Sequence, residues 1–231
     1  MENLKYYRLE SSSDIEEIGD IFAKSVYQIH DFIDPDNNTE ERFEKYSDFS
    51  GCIDEELDLT KFAVMSQAKI TDLLSARFFW HKCFYSADFI TLSKKFTLEN
   101  SKIIPCKVHH ENDTYDYFLL ELLRTLSIVD FEKSEFTIFD DIAEEPKYIY
   151  KDKITETTYF DVLRKIAKDS DYELTMKPTK VVLNRPSDLF FLRLDNGFYI
   201  SNQFKEAIEK EKLTGFEFSE RPLKFEFYKN W

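Results

Sequence analysis

Glycine is the first thing missing. The chain holds four glycines in 231 residues, where ordinary usage of about 7% would supply about sixteen. Glycine-rich phosphate loops, collagen-like repeats and flexible linkers have no raw material here, so nucleotide-loop enzymes are excluded early. No Gly-x-Ser-x-Gly elbow occurs either, which removes the usual presentation of a serine nucleophile. Cysteine is scarce and odd in number: Cys52, Cys83 and Cys106 stand far apart, which fits reduced thiols acting as small packing residues and not a disulfide framework. Long apolar runs are absent. The best, Tyr117 to Leu120, is broken by Glu121, far short of the roughly 18 residues of a membrane span. The opening Met1-Glu2-Asn3-Leu4-Lys5-Tyr6-Tyr7-Arg8-Leu9 lacks the apolar stretch of roughly 7–15 residues of a secretory signal. A soluble, cytoplasmic protein that does not enter membranes is the expectation. Positive charge is also short, with 31 Lys and Arg against 45 Asp and Glu, a net of −14. Non-specific affinity for nucleic acid comes from Lys and Arg, so a nucleic-acid partner is not expected and a basic partner is.

What is present is aromatic and acidic. Aromatics make up 16% of the chain, with 23 Phe and 13 Tyr, too many for a chain that stays unfolded and enough for a sizeable core. The acidity is local. Residues 34–58 carry ten acids against Arg42 and Lys45, and residues 130–145 carry seven against Lys133. These two windows hold the whole net charge, and the other 190 residues balance to zero.

Hydrophobic spacing outlines the elements. Residues 4–9 alternate as an edge strand, and Ile15, Ile18, Phe22, Val26 and Ile29 recur at helical spacing over 14–29 behind a cap at Ser13. The acidic 34–58 reads as loop. Residues 62–74 read as a strand followed by a short helix, and Phe78-Phe79-Trp80 as a buried aromatic run. Strand-like segments follow at 89–92, 103–108 and 115–123, rich in aromatic and β-branched residues. Tyr159, Val162, Leu163 and Ile166 predict a helix over 155–168. Strands at 180–184, 188–193 and 197–201, a helix at 202–211, and strands at 215–219 and 223–228 close the chain. The expected fold is α+β, a mixed, mainly antiparallel sheet with short flanking helices. An internal echo pairs Asp88-Phe89-Ile90-Thr91-Leu92-Ser93 with Asn196-Gly197-Phe198-Tyr199-Ile200-Ser201, placing Ser93 and Ser201 as caps where strands pass into helices.

Candidates for chemistry are few. His109 and His110 are adjacent, so on a strand they point to opposite faces; His30 stands alone, and His81 with Cys83 lacks a third ligand. No metal and no cofactor are expected. Glu145-Pro146-Lys147 after Asp140 and Asp141 superficially resembles a nuclease carboxylate–lysine set, but Pro146 argues against a central strand and favours a solvated acidic turn.

The last third carries a resemblance. Phe198-Tyr199-Ile200-Ser201-Asn202-Gln203-Phe204-Lys205-Glu206-Ala207-Ile208 and Leu213-Thr214-Gly215-Phe216-Glu217-Phe218 resemble the ending of a family of immunity proteins from bacterial polymorphic-toxin systems. Tyr115 to Leu123, then Val129-Asp130-Phe131-Glu132-Lys133-Ser134-Glu135-Phe136, and Val181 to Asn184 leading to Asp188 to Arg193, are similar to its central blocks. The resemblance spans 85–220, within one domain over 1–231 whose first 60 residues are a looser acidic part; residues 1–60 and 141–180 have no counterpart. It implies no catalytic residues. It implies a cytoplasmic protein that binds and neutralises a cognate toxin domain, protecting the producing cell and its kin in interbacterial competition. The acidic windows then supply candidate toxin contacts, Asp54, Glu55, Glu56 and Asp58 in the first and Asp140, Asp141, Glu144 and Glu145 in the second, with Tyr46 or Tyr148 as aromatic anchors. An enzyme that reverses a toxin's modification, or an interaction module unconnected with toxins, are the alternatives. Ser201 as a helix cap and Gly215 as a positive-φ turn are expected to serve the fold.

Overall fold

The structure, a computed structural model, describes residues 2–20, 27–32, 62–76, 83–99, 101–122 and 126–227. These form three sheets. The first has the order β1 (Glu2–Leu4), β15 (Lys224–Phe227), β11 (Leu174–Leu183), β9 (Glu135–Asp140), β10 (Glu145–Tyr150). The second runs β12 (Leu189–Leu192), β13 (Gly197–Ser201), β2 (Tyr6–Ser11), β14 (Phe216–Ser219). The third runs β3 (Ile29–Phe32), β4 (Phe62–Val64), β7 (Ser101–His110), β8 (Asp113–Leu122), β6 (Phe84–Ser86), β5 (Leu73–Leu74). The pairs β11·β15 and β4·β7 are parallel and the others antiparallel, so the mixed, mainly antiparallel α+β expectation holds. The described helices are short: α1 (Ile15–Ile18), α2 (Ala87–Ser93), α3 (Tyr159–Asp169) and α4 (Asn202–Glu211). None of them is long and apolar enough to cross a membrane.

Tyr159 of α3 buries against Phe131 and Phe136, and this helix covers the five-stranded sheet with Val162, Leu163 and Ile166. Helices α2 and α4 pack between the other two sheets through Phe89, Ile90, Phe204 and Ile208, all at most 4% exposed. Phenylalanine abundance is thus spent on interiors, with Phe89 stacked 5.7 Å from Phe204 and Phe96 4.3 Å from the same ring.

Several expectations are corrected. The helix over 14–29 stops after one turn, because Gly19 takes φ 87 and bridges Ala68, where a Cβ would sit 2.2 Å from the Gln67 carbonyl oxygen. Its cap is Asp14, whose carboxylate accepts the Glu16 N–H at 2.9 Å, whereas Ser13 donates to Glu217. The strand expected at 4–9 is β2, interior to its sheet and not an edge. No helix follows β4; Leu73 and Leu74 pair with β6. Residues 89–92 are helix, not strand. Pro146 does sit in a strand, β10, but at a sheet edge where its missing N–H costs no ladder bond. The loop at 34–58 and the run Phe78-Phe79-Trp80 lie outside the described residues.

The internal echo is real but in a different register: the partner of Ser201 is Ser86. Ser86 Oγ accepts the Phe89 N–H at 3.2 Å and donates to Asp72 at 2.6 Å; Ser201 Oγ accepts the Phe204 N–H at 3.3 Å and donates to Asp188 at 2.6 Å. Each serine N–H also donates to the same aspartate's carbonyl at 2.8 Å. The second carboxylate oxygens cross over. Asp72 accepts the Thr214 N–H beyond α4 at 2.8 Å, and Asp188 accepts the Thr97 N–H beyond α2 at 2.9 Å. Tyr117, opposite Ser86, donates to the Thr71 carbonyl, and Tyr6, opposite Ser201, to the Ser187 carbonyl at 2.7 Å. The strand order β12-β13-β2-β14 repeats β5-β6-β8-β7. Two like units therefore face each other across Phe89 and Phe204, the second completed by β2, which comes from the N-terminal part of the chain. Ser93, in contrast, ends α2 and donates to the Ile90 carbonyl at 2.9 Å.

Candidate functional site

The acidic window 130–145 folds into β9 and the turn into β10, at the outer end of the five-stranded sheet. Asp140 makes the turn. Its Oδ1 accepts the N–H groups of Ile142 at 2.9 Å and Ala143 at 2.8 Å, and its Oδ2 lies 3.1 Å from Lys147. The Ala143 N–H, reinforced by the Lys147 ammonium, holds this carboxyl below the ordinary aspartate value. Lys147 also bonds Glu145 at 2.9 Å, and the two carboxylates hold its ammonium above the usual lysine range. Asp141 pairs with Lys177 at 2.7 Å, and that ammonium lies 3.9 Å above the Phe139 ring. Glu144, at φ 54 on the turn, makes no ion pair among the described residues. Of the four acids, Asp140 is a turn-former and Asp141 and Glu145 are screened by lysines, which weakens the bare field that composition implies.

The same end of the sheet gathers exposed apolar surface. Ile142 is 73% exposed, Tyr148 57%, Ile149 58% and Tyr172 78%. The ladder Leu174↔Asp140 is extended by a bond from Asp141 N to Glu173 O at 2.9 Å, and Ile142 and Tyr172 each follow one residue past its end. Tyr148 lies opposite buried Ile138, and Ile149 opposite Thr137, so the two present apolar groups on both faces of β10. Pro146 and a bulge between Pro146 and Tyr148 interrupt the first half of the strand. Sequence reasoning found Tyr148 but missed Ile142, Ile149 and Tyr172; the available signal was aliphatic and aromatic residues interleaved with acids where no core face needs them. Asp54, Glu55, Glu56, Asp58 and Tyr46 lie outside the described residues.

A cleft of about 340 Å³ opens beside the end of β10, lined by Phe131, Glu132, Ser134, Tyr150, Lys153 and Ile154 among others. Three of its polar groups are engaged: Lys153 bonds Glu132 at 2.6 Å, and Ser134 Oγ donates to the Asp130 carbonyl at 2.7 Å while accepting the Val182 N–H. Nucleophile and base are not brought together there. His109 Nδ1 shares a 2.9 Å bond with Thr114. Among the described residues no three His, Cys, Asp or Glu side chains are grouped to hold a metal. Burial pushes the thiols of Cys83 and Cys106 up to about 12, so both are poor nucleophiles.

Ser201 and Gly215 fall where the sequence places them, as a helix cap and a turn at φ 87. The Gly215 N–H donates to Glu17 at 2.9 Å and its carbonyl accepts the Ser12 N–H, tying α1 to the strand after α4. A family model described as an immunity protein family (Imm11) matches residues 104–221, from within β7 to just beyond β14. No curated protein matches the chain at a significant level.

Proposed function

Since the chain belongs to the Imm11 immunity protein family, we propose that it binds a cognate toxin domain in the cytoplasm and neutralises it by occlusion, without catalysis. The observation that carries this reading is the family match over more than half the chain. Two features support it. In the cleft beside β10, Ser134 and Lys153 are already bonded, which suits a binding protein better than an enzyme that undoes a toxin's work. The acidic windows suit a basic toxin, whose approach they would speed. Asp54, Glu55, Glu56, Asp58, Asp140, Asp141, Glu144 and Glu145 are the proposed acidic contacts. Since Asp140 holds the turn and lysines pair with Asp141 and Glu145, steering from the second window falls mainly to Glu144.

The test is co-expression with the toxin domain encoded beside this gene, scoring survival and recovery of a complex. Rescue with a stable complex is expected. A toxin that kills regardless, with no complex, refutes the reading; rescue by catalytic amounts of this protein would favour the enzyme.

A further inference from the structure

The open edge of β10, with Tyr148 and Ile149 on it and Ile142 in the turn before it, is not explained by the fold; Tyr172, ahead of β11, lies across β9 from that edge. Among the described residues nothing pairs with β10 on the side away from β9. Two other edge strands, β12 and β5, carry side chains that are all at most 2% exposed. An uncovered edge is a template for any passing strand, and proteins blunt such edges with proline, bulges and charge. Here the guard is partial. Pro146, the bulge and Lys147 protect the first half of β10, while Tyr148-Ile149-Tyr150 is left with regular pairing to β9 and no such device.

We propose that this half-guarded edge is the toxin's docking site: the toxin domain adds an extended segment beside Tyr148–Tyr150, Tyr148, Ile149 and the turn's Ile142 take its apolar side chains, and Tyr172, across β9, meets the domain beyond that segment. The proposal rests on the toxin-binding reading and deepens it by naming the surface. Strand addition suits the site physically. Main-chain hydrogen bonds along the edge supply affinity, and side chains alternating across it supply specificity. Tyr148 and Ile149, on opposite faces, grip both sides of an added strand. The hairpin 140–150 carries four acids and one lysine, and with Lys177 on Asp141 an excess of two acids remains, 4 − 2, so a segment bearing Lys or Arg next to its apolar residues is the complementary occupant. Glu144 at the turn meets it first. A second copy of this chain would bring acids against acids, which disfavours self-pairing at the same edge.

The experiment uses the full chain and the toxin domain encoded beside it. Tyr148→Ser with Ile149→Ser, and separately Ile142→Ser with Tyr172→Ser, are compared with wild type by titration calorimetry; Ile15→Ser, at the exposed isoleucine of α1, is the control. All five side chains are at least half exposed, so the variants keep the wild-type unfolding midpoint, which is checked first. The expected result is a loss of at least thirtyfold in affinity for Tyr148→Ser/Ile149→Ser, as anchor residues give, and no change for Ile15→Ser. Hydrogen exchange at the amides of 148–150 slows in the complex if a strand is added there. Wild-type affinity in both double variants, or unslowed exchange with affinity kept, overturns the docking site while leaving the toxin-binding reading intact. Absence of any wild-type binding overturns both. A wild-type dimer that the Tyr148→Ser/Ile149→Ser variant abolishes, with toxin affinity unchanged, assigns the edge to self-association and also overturns the proposal.

Discussion

Removing one hydroxyl at Ser201 tests the paired serine–aspartate contacts, Ser201 to Asp188 and Ser86 to Asp72, directly. Ser201→Ala deletes the N-cap of α4, which costs about 1 kcal/mol. It also takes from Asp188 its 2.6 Å donor; a hydrogen bond to a charged group contributes about 1.5–3 kcal/mol, and the lower end applies because Asp188 is only partly buried and keeps the Thr97 N–H. The total is about 2–3 kcal/mol. With a urea m-value of about 2.5 kcal/mol/M, the midpoint falls by about 1 M at unchanged m. Ser86→Ala, which removes the corresponding cap and the corresponding bond to Asp72, is expected to match it within about 1 kcal/mol, since the lost interactions are the same in kind and length. Ser93→Ala is the control. Its hydroxyl bonds a carbonyl that already accepts the Lys94 N–H, and alanine is the better helix former, so it should cost under about 1 kcal/mol. A Ser201→Ala cost below about 0.5 kcal/mol, or Ser93→Ala proving costlier than Ser86→Ala, refutes the reasoning.

Three further outcomes follow from named contacts. Gly215→Ala forces a Cβ to 2.4 Å from the Leu73 carbonyl oxygen at φ 87, so a loss above about 2 kcal/mol is expected by urea melting, and an unshifted midpoint would contradict the placement. Asp140 has a lowered pKa, so its support of the turn is complete above the unfolded aspartate value of 3.8 and is lost as pH falls through the lower folded value. In an NMR titration its carboxyl midpoint should lie below 3.8, with the Ile142 and Ala143 amides shifting in step; Asp140→Asn should remove that step. Glu144→Lys with Glu145→Lys should slow association with the toxin domain and flatten its salt dependence while changing dissociation little; unchanged on-rates in stopped-flow would sink the steering role.

How far the sequence could be read depended on whether the deciding contact was local. The strand, cap and helix at 197–211 were legible because Ser201 and Phe204 settle their geometry three residues apart. Gly215 was legible because few residues but glycine sit easily at positive φ. The helix expected over 14–29 failed on a contact with Gln67, half a hundred positions away, that spacing of Ile15 and Ile18 cannot reveal. Residues 89–92 looked like strand because Phe, Ile and Thr fit a pleated surface, and the cap at Ser86 overruled them. Charge behaved in the same way. Counting acids over 130–145 located the turn, but the partner of Asp141 is Lys177, thirty-six residues on, and the turn-forming role of Asp140 exists only once its two amides converge. Acids that composition offers as a field are, in the fold, largely scaffolding for an edge strand. Apolar residues at 142, 148, 149 and 172 are what that scaffolding exposes, and under the proposed docking, affinity at this surface turns on shape and main-chain pairing, with net charge governing the speed of encounter.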